Sequence, residues 1–518
     1  MSASHDPAND IALRADVFIA GGGPAGTWAA LTAARSGATV VLADKGYCGT
    51  SGAAAASNNN VWYVPDPEDH ARHFEERYRS GGALSELSWT SRVLETSARQ
   101  LQRLETLGYP FARKDDGTPN RATLRGPDYM RFMRQQIKRA GVTILDHAPL
   151  LGLVRDEREG RVTGAFGVRR DGSRWHVSAN ACVIATGGCA FLGGALGTNV
   201  CTGDGHLAAA EAGALFSGME FSSQYGLTAA FSSVTKGLPF VWASYSTRDG
   251  RPVHIDEEDA FIPVARTLVN EPVFAVFDRA TPDIERWLRS GQANAFLPYD
   301  RMGIDPFRTR FPVGLRLEGT VRGTGGIRLV DTDGRTDVPG LYAAGDAASR
   351  EAIVGARTGG GSPNGAWAIA TGSWTGEAAS RFAKTLGETR AIDFDAHYAQ
   401  LATSDPHAAA ETLEREVRPI AVQLFRSERR LAAALRTIDH ALVARPDVDT
   451  SLAARRSARA LLYVAKLSYT SALARRETRG LHRREDFPLC SDDARRLLIG
   501  GVQEPAVRWR AVAESAAN

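Results

Sequence analysis

Gly21, Gly23 and Gly26 stand in GGGPAG, between the apolar run DVFIA (16–20) and the helical pattern TWAALTAARSG; Asp44 closes the next apolar run, ATVVLADK, 18 residues beyond Gly26. Glycines at this spacing fit a backbone that folds onto a pyrophosphate: Gly21 permits the tight turn, Gly23 the close approach and Gly26 the packing of helix on strand. Pro24 and Ala25 open the helix, whose free amides and dipole favour negative charge. Asp44, followed by Lys45, is placed to accept hydrogen bonds from ribose hydroxyls. The chemistry implied is the binding of a dinucleotide.

The elements that must hold these residues are a β-turn-α-β unit of about 30 residues and what surrounds it. Amphipathic helices are predicted over LSWTSRVLETSARQLQRLETLG and GPDYMRFMRQQIKRAG, then successive strands through VTILDHAPLLGLVRD, RVTGAFGVRR and RWHVSANACVIATGG, the middle pair as a hairpin. From about residue 222 to 320 periodicity fades and Pro and aromatic residues increase (Pro239, Trp242, Tyr245, Trp287, Pro312), which marks a separate lobe. Strands and glycines return at IRLVDTDGRTDVPGLYAAGDAAS, and glycines give way to a helix after GARTGGGSPNG. Beyond about 407 the chain is Ala, Leu, Arg and Glu at a period near 3.6, a helical bundle whose arginines at 453–476 read as a solvated face. The expected architecture is an α/β chain. A Rossmann-type dinucleotide domain (1–221 and 321–385) is interrupted by an α+β capping domain (222–320) and followed by a C-terminal helical domain (386–518).

Composition narrows the function. With 43% hydrophobic and 23% charged residues the chain is an ordinary globular protein, not a disordered or fibrous one. Its 62 Lys plus Arg against 59 Asp plus Glu leave a formal charge of +3, too balanced for a nucleic-acid-tracking surface. The five cysteines form no CxxC pair and no zinc spacing, which fits reduced thiols, no metal site and a cytoplasmic location. No apolar stretch approaches the length of a membrane span, and the N-terminal residues lack the pattern of an export signal.

Further segments decide between cofactors by resemblance. CVIATGG (182–188), which holds Thr186 and Gly187, resembles the strand that closes on the dinucleotide domain of many flavoproteins. PGLYAAGDAA (339–348) resembles the segment in which an acid after Ala-Gly, here Asp346 after Gly345, holds the ribityl chain of FAD. TGDGHLAAAEAGA (202–214, with Asp204), TGGIRLVDTDGRTDVPGLYAAGDAA (324–348) and SALARRETRGLHRREDFP (471–488) are similar to motifs of one family. It contains the flavoproteins of succinate dehydrogenase and fumarate reductase, L-aspartate oxidase and the adenylylsulfate reductase alpha subunit. The resemblance runs from residue 16 to 488 and implies hydride exchange between FAD and a substrate held under the cap.

The resemblance also shows what this chain lacks. Where succinate dehydrogenases attach FAD covalently to a histidine, the stretch here is CGTSGAAAASNNN (48–60), which has none, so FAD is expected to be noncovalent, with Thr50, Ser51 and Gly52 near it, and Ser51 and Gly52 as contacts of the flavin edge. The two substrate-binding histidine positions of the dicarboxylate enzymes fall on Tyr225, in MEFSSQYGL, and Val321, in VRGTGG, with Arg322 at the adjoining tyrosine position. GARTGGGS (355–362) resembles the family's arginine motif, one residue shorter, which makes Arg357 the expected substrate-facing guanidinium and places Ser362 beside the cofactor. Tyr225 or Tyr245 is the expected proton carrier. The implied activity is oxidation or reduction of a small anionic organic substrate other than succinate or fumarate. Two further readings remain open: the flavoprotein subunit of an electron-transfer complex with a ferredoxin-like iron-sulfur partner, and an oxygen-using oxidase like L-aspartate oxidase.

Overall fold

The structure, a computed structural model, describes residues 9–235, 237–255, 261–358, 360–387, 392–446 and 449–512. Its centre is a sheet in the order Thr143–Leu145, Val40–Ala43, Ile11–Ala20, Arg174–Ile184, Val162–Val168, Leu150–Arg155. The first four strands are parallel, with registers such as Ile19↔Leu42 and Ile19↔Val183. Val17 to Ala20 and Val40 to Ala43 are buried without alternation, as expected of parallel strands covered on both faces. The hairpin expected at 150–168 forms, with register shifts between Leu150 and Gly152 and between Val154 and Arg155. Arg174–Ile184 serves two neighbours along one edge: its first half pairs with Val162–Val168, and its last residues take Leu341–Ala343 in parallel. The chain thus returns to this sheet after the cap, bringing Gly345 and Asp346 to the end where Gly21 turns.

The helices Pro24–Arg35 and Ser362–Thr385 cover this sheet and touch one another closely. A Cβ on Gly372 would lie 2.3 Å from the Ala25 carbonyl oxygen, and one on Gly376 the same distance from that of Ala29, so only glycine permits this approach. The cap is a separate antiparallel sheet, Tyr225–Ala229, Phe311–Leu317, Val273–Val276, Ser244–Thr247, over its own aromatic core of Phe240, Phe277, Phe296, Tyr299 and Phe311.

The C-terminal part is helical over Glu428–Val443 and Leu452–Ala474, then departs from the all-helical expectation. Arg495–Gly500 and Ala506–Ala511 form a hairpin that pairs with Phe216–Ser217, extending a small sheet to Gly326–Ile327. The solvated face expected at 453–476 is also only partial. Arg456 is buried and donates to Glu211 and to the Leu151 carbonyl oxygen, and Arg475 is buried between Glu220 and Glu477. Burying an arginine requires acids from other segments, which local periodicity does not reveal. Among the described residues no helix is long and apolar enough to cross a membrane.

Candidate functional site

Gly21 turns the chain from strand to helix at φ +105°, and a Cβ there would sit 2.2 Å from the Ala185 carbonyl oxygen, so the turn excludes every larger residue. Gly26 does not face the cleft that opens here; its Cβ would lie 1.8 Å from the Gly21 carbonyl oxygen, which is the helix-packing role its spacing implies. The helix Pro24–Arg35 has no side-chain cap, and nothing lies within 4 Å of a Cβ placed on Gly23. Its first amides therefore open onto free space, the setting that takes a phosphate.

From this turn extends a cleft of ≈ 1550 Å³, its open mouth included. Asp44 lies at one end: Oδ2 accepts from the Gly22 amide (2.6 Å), and Oδ1 from the Gly46 amide (2.8 Å) and the Ser51 hydroxyl (2.7 Å). Ser51 thus braces Asp44, the acid expected to take the ribose, from its own place on the cleft wall. Lys45 reaches Asp204 (2.8 Å), Thr202 (2.6 Å) and Ser457 (2.8 Å), tying this end to the C-terminal helix Leu452–Ala474. Asp204 Oδ1 and the Thr186 hydroxyl are buried with no hydrogen-bond partner among the described residues. Two orphaned polar atoms, an uncapped helix start and acids at both ends together fit a dinucleotide.

At the other end Gly345, at φ +62°, is held by Thr371 through its amide (2.9 Å) and by Trp367 Nε1 through its carbonyl (3.0 Å). Burial raises the Asp346 carboxyl above the ordinary range, and Arg350 opposes that shift by donating to Oδ1 at 2.5 Å. Arg350, fully buried, also donates to Asn364 Oδ1 (2.5 Å), to the Thr320 carbonyl oxygen (2.7 Å) and to that of Gly323. It joins Asp346 to the loop that carries Val321 and Arg322. Sequence reasoning missed Arg350, although its i,i+4 spacing from Asp346 was a usable signal.

Gly21, Gly23, Pro24, Ala25, Asp44, Lys45, Ser51, Gly52, Thr186, Gly187, Asp204, Gly345 and Asp346 line the cleft, and so does Arg322. Thr50 does not: it is exposed and its hydroxyl donates to the Tyr47 carbonyl oxygen (3.4 Å). Ser362 heads its helix outside the lining, its carbonyl accepting from the Trp62 amide (2.9 Å). The lining also includes Asn58, Asn59, Asn60, Tyr129 and Asn364, which were not anticipated. The run of three amides behind the Ser-Gly loop was the legible sign.

A smaller cavity of ≈ 530 Å³ branches from this cleft toward the cap, sharing Ala53, Ser57, Asn58, Val321 and Arg322 with it. Its remaining polar wall is Thr198, Thr235, Gln292, Asn294 and Glu318. Arg322 Nη1 donates to the Thr235 carbonyl oxygen (3.2 Å) and lies 3.4 Å from Glu318, while the Thr235 hydroxyl donates to Glu318 Oε1 (2.7 Å). Among the described residues Nε and Nη2 of Arg322 take no protein acceptor, so one edge of the guanidinium remains for a ligand.

The other expected catalytic residues are elsewhere. Tyr225 is buried, and its hydroxyl donates to the Arg418 carbonyl oxygen (2.8 Å); desolvation pushes its pKa far up. Tyr245 lies in the cap core and donates to the Phe240 carbonyl oxygen (3.2 Å), its pKa likewise raised by burial. Arg357 is exposed beside Arg77 and lines neither cavity, and its carbonyl accepts from the Thr324 hydroxyl (2.6 Å). Among the described residues no histidine lines either cavity. His482 instead braces the C-terminal part through Arg426 (2.8 Å) and the Arg475 carbonyl (3.0 Å).

Comparison with known proteins agrees with this geometry. Residues 16–232 match the FAD binding domain family, and residues 419–513 the fumarate reductase flavoprotein C-terminal family. L-aspartate oxidase of Mycobacterium bovis is 28% identical over 527 residues, covering 95% of this chain and 96% of that protein. L-aspartate oxidase of Caulobacter vibrioides is 27% identical over 529 residues, covering 95% and 98%. In fold, the chain is similar to an E. coli quinol fumarate reductase FrdA variant (TM-score 0.82, 20% identity, 98% of each chain). It is also similar to adenosine-5-phosphosulfate reductase in complex with sulfite (TM-score 0.78, 17% identity, 98% and 97%).

Proposed function

For this chain, an FAD-dependent oxidoreductase of the succinate dehydrogenase, fumarate reductase and L-aspartate oxidase family, we propose a small polar substrate that carries one carboxylate or similar oxyanion, bound by Arg322 where cap and FAD cleft meet. The observation that supports this is the branch cavity, where among the described residues one guanidinium with a free edge is the cationic group of the lining, among amides and hydroxyls. A planar oxyanion suits that edge through two parallel N–H bonds. Glu318 holds Nη1 of Arg322 (3.4 Å) and offsets its charge, so among the described residues of the lining a second carboxylate on the substrate meets no cation.

FAD, when bound, supplies the two-electron chemistry. The chain's own residues do the rest: Asp44, Lys45, Asp204 and Asp346 position the cofactor, Asn58 and Arg322 stand where its cleft meets the branch, and the cap wall excludes water. The loop 48–60 lines the cleft without a histidine, which supports noncovalent binding.

The test is anaerobic titration of the FAD-loaded protein with mono- and dicarboxylates, following bleaching near about 450 nm, the flavin's own absorption. A monocarboxylate that bleaches the wild type and not Arg322→Gln supports the reading; a dicarboxylate that works equally in both overturns it. A second reading, an oxygen-using oxidase, is favoured by the near full-length similarity to L-aspartate oxidases. Peroxide released with turnover marks it, whereas reoxidation only by a ferredoxin-like iron-sulfur protein marks an electron-transfer complex.

A further inference from the structure

Arg322 keeps one guanidinium edge open beside a carboxylate able to close it. Glu318 is 3% exposed, lines the same branch cavity and stands with Oε2 3.4 Å from Nη1. A carboxylate meeting a guanidinium tends to take two parallel N–H bonds, one to each oxygen. Here that 3.4 Å is the closest approach, and Oε1 instead accepts from the Thr235 hydroxyl at 2.7 Å. Without the hydroxyl, Oε1 would turn to Nη2 and complete the fork, removing one of the two donors that a ligand's oxyanion needs.

The surrounding backbone fixes Thr235 for this task. It lies in the loop that follows the cap strand Tyr225–Ala229, while Glu318 follows the strand Phe311–Leu317 that pairs with it. The Thr228 hydroxyl donates to the Val234 carbonyl oxygen (3.0 Å) and the Val234 amide to Ser232 Oγ (3.0 Å), which ties down the loop just before Thr235. A Cβ on Gly226 would lie 2.4 Å from the Thr235 Cβ and 2.8 Å from Glu318 Oε2, so the meeting of these two side chains requires a glycine beneath them. The arginine's own backbone is held as well: the Thr358 hydroxyl donates to the Arg322 carbonyl oxygen (2.9 Å) and Arg350 to that of Thr320 (2.7 Å). Thr235 thus meets Nη1 with its carbonyl (3.2 Å) and Glu318 with its hydroxyl.

We infer that Thr235 is a positioning residue for oxyanion recognition: its hydroxyl holds Glu318 away from Nη2, so that the Nε and Nη2 edge of Arg322 stays available to a carboxylate on the ligand. The inference rests on the substrate reading given to Arg322 and adds the residue that keeps the chain's own acid from filling that site. Valine at this position removes the hydroxyl at nearly the same outline, and serine keeps it. Glu318→Gln weakens the competitor, since a neutral amide offers one acceptor oxygen and no charge.

The test is calorimetric titration of the FAD-loaded protein, without oxygen, with L-lactate and propanoate as probes. Thr235→Val should bind both at least about tenfold more weakly than the wild type and Thr235→Ser within about twofold of it, while Thr235→Val combined with Glu318→Gln should recover most of the loss. A merely structural role gives no such recovery, because a second substitution at a loosened site adds to the damage. Tm and flavin content are read for each variant, and Thr235→Ala carries the same comparison if Thr235→Val does not fold. Unchanged binding in Thr235→Val while Arg322→Gln loses it overturns the inference and leaves the Arg322 reading standing, and so does a double variant no better than Thr235→Val. Binding that survives Arg322→Gln, or a wild type that binds neither probe, overturns the inference together with the reading it rests on.

Discussion

Arg322 and Tyr225 show how position decides chemistry for a single side chain. Arg322 retains one free edge at a cavity, and losing a charge-assisted pair there costs about 2–3 kcal/mol. Arg322→Gln should therefore lower kcat/KM for the oxyanionic substrate by roughly 100-fold, while FAD content, read from the flavin spectrum, stays unchanged. Tyr225→Phe should do the reverse: turnover is retained, and the lost hydrogen bond to Arg418 costs about 1 kcal/mol in denaturant unfolding. A collapse of turnover in Tyr225→Phe with normal FAD binding would restore the tyrosine as a proton carrier. Glu351 gives a pH signature. Burial pushes its carboxyl up to about 7, raised further by Glu220 and opposed by Arg496 and Arg475. The folded protein thus holds a proton that the unfolded chain releases near 4.5, so this contribution is present at low pH and is lost as pH rises through about 7. Glu351→Gln should therefore raise Tm at pH 8 and lose that advantage by pH 5.

The elements that carry the FAD cleft depend on close contact rather than on propensity. The helices Pro24–Arg35 and Ser362–Thr385 approach through Gly372 and Gly376, and the second of them also presents Asn364 and Trp367. Gly376→Ala must push its Cβ against the Ala29 carbonyl oxygen, an overpacking that costs about 1–3 kcal/mol. The expected outcome is a lower Tm together with weaker FAD retention on gel filtration, since both walls of the cleft shift. A Tm drop with FAD affinity intact would show that the helix pair serves the core alone. The glycine spacing at 21, 23 and 26 was readable because a local turn sets it. The use of Gly372 and Gly376 was not, since it depends on which helix lies opposite.

Across the whole molecule, buried charge joins the C-terminal part to the rest. Arg475 sits between Glu220, next to the cap, and Glu477, both nearly inaccessible. Arg475→Met leaves the buried Glu220 without its cation, while Glu477 keeps Arg479, and should cost about 3–5 kcal/mol, with Arg475→Met plus Glu220→Leu recovering part of it in urea unfolding. The sequence alone determined the glycine turn and its strand and helix, and it singled out Asp44 and Asp346, which line the cleft, and the lobe between the two halves of the sheet, because each rests on residues close together in the chain or on composition over a long window. It also named Arg322, as a weaker candidate than Arg357. Only the tertiary structure put Arg322 on a cavity wall and Arg357 outside both cavities, sent Tyr225 and Tyr245 into packing and turned Arg456 and Arg475 inward. Those outcomes depend on contacts between segments tens to hundreds of residues apart, where burial and hydrogen-bond partners fix a side chain's direction and the local pattern carries no record of it.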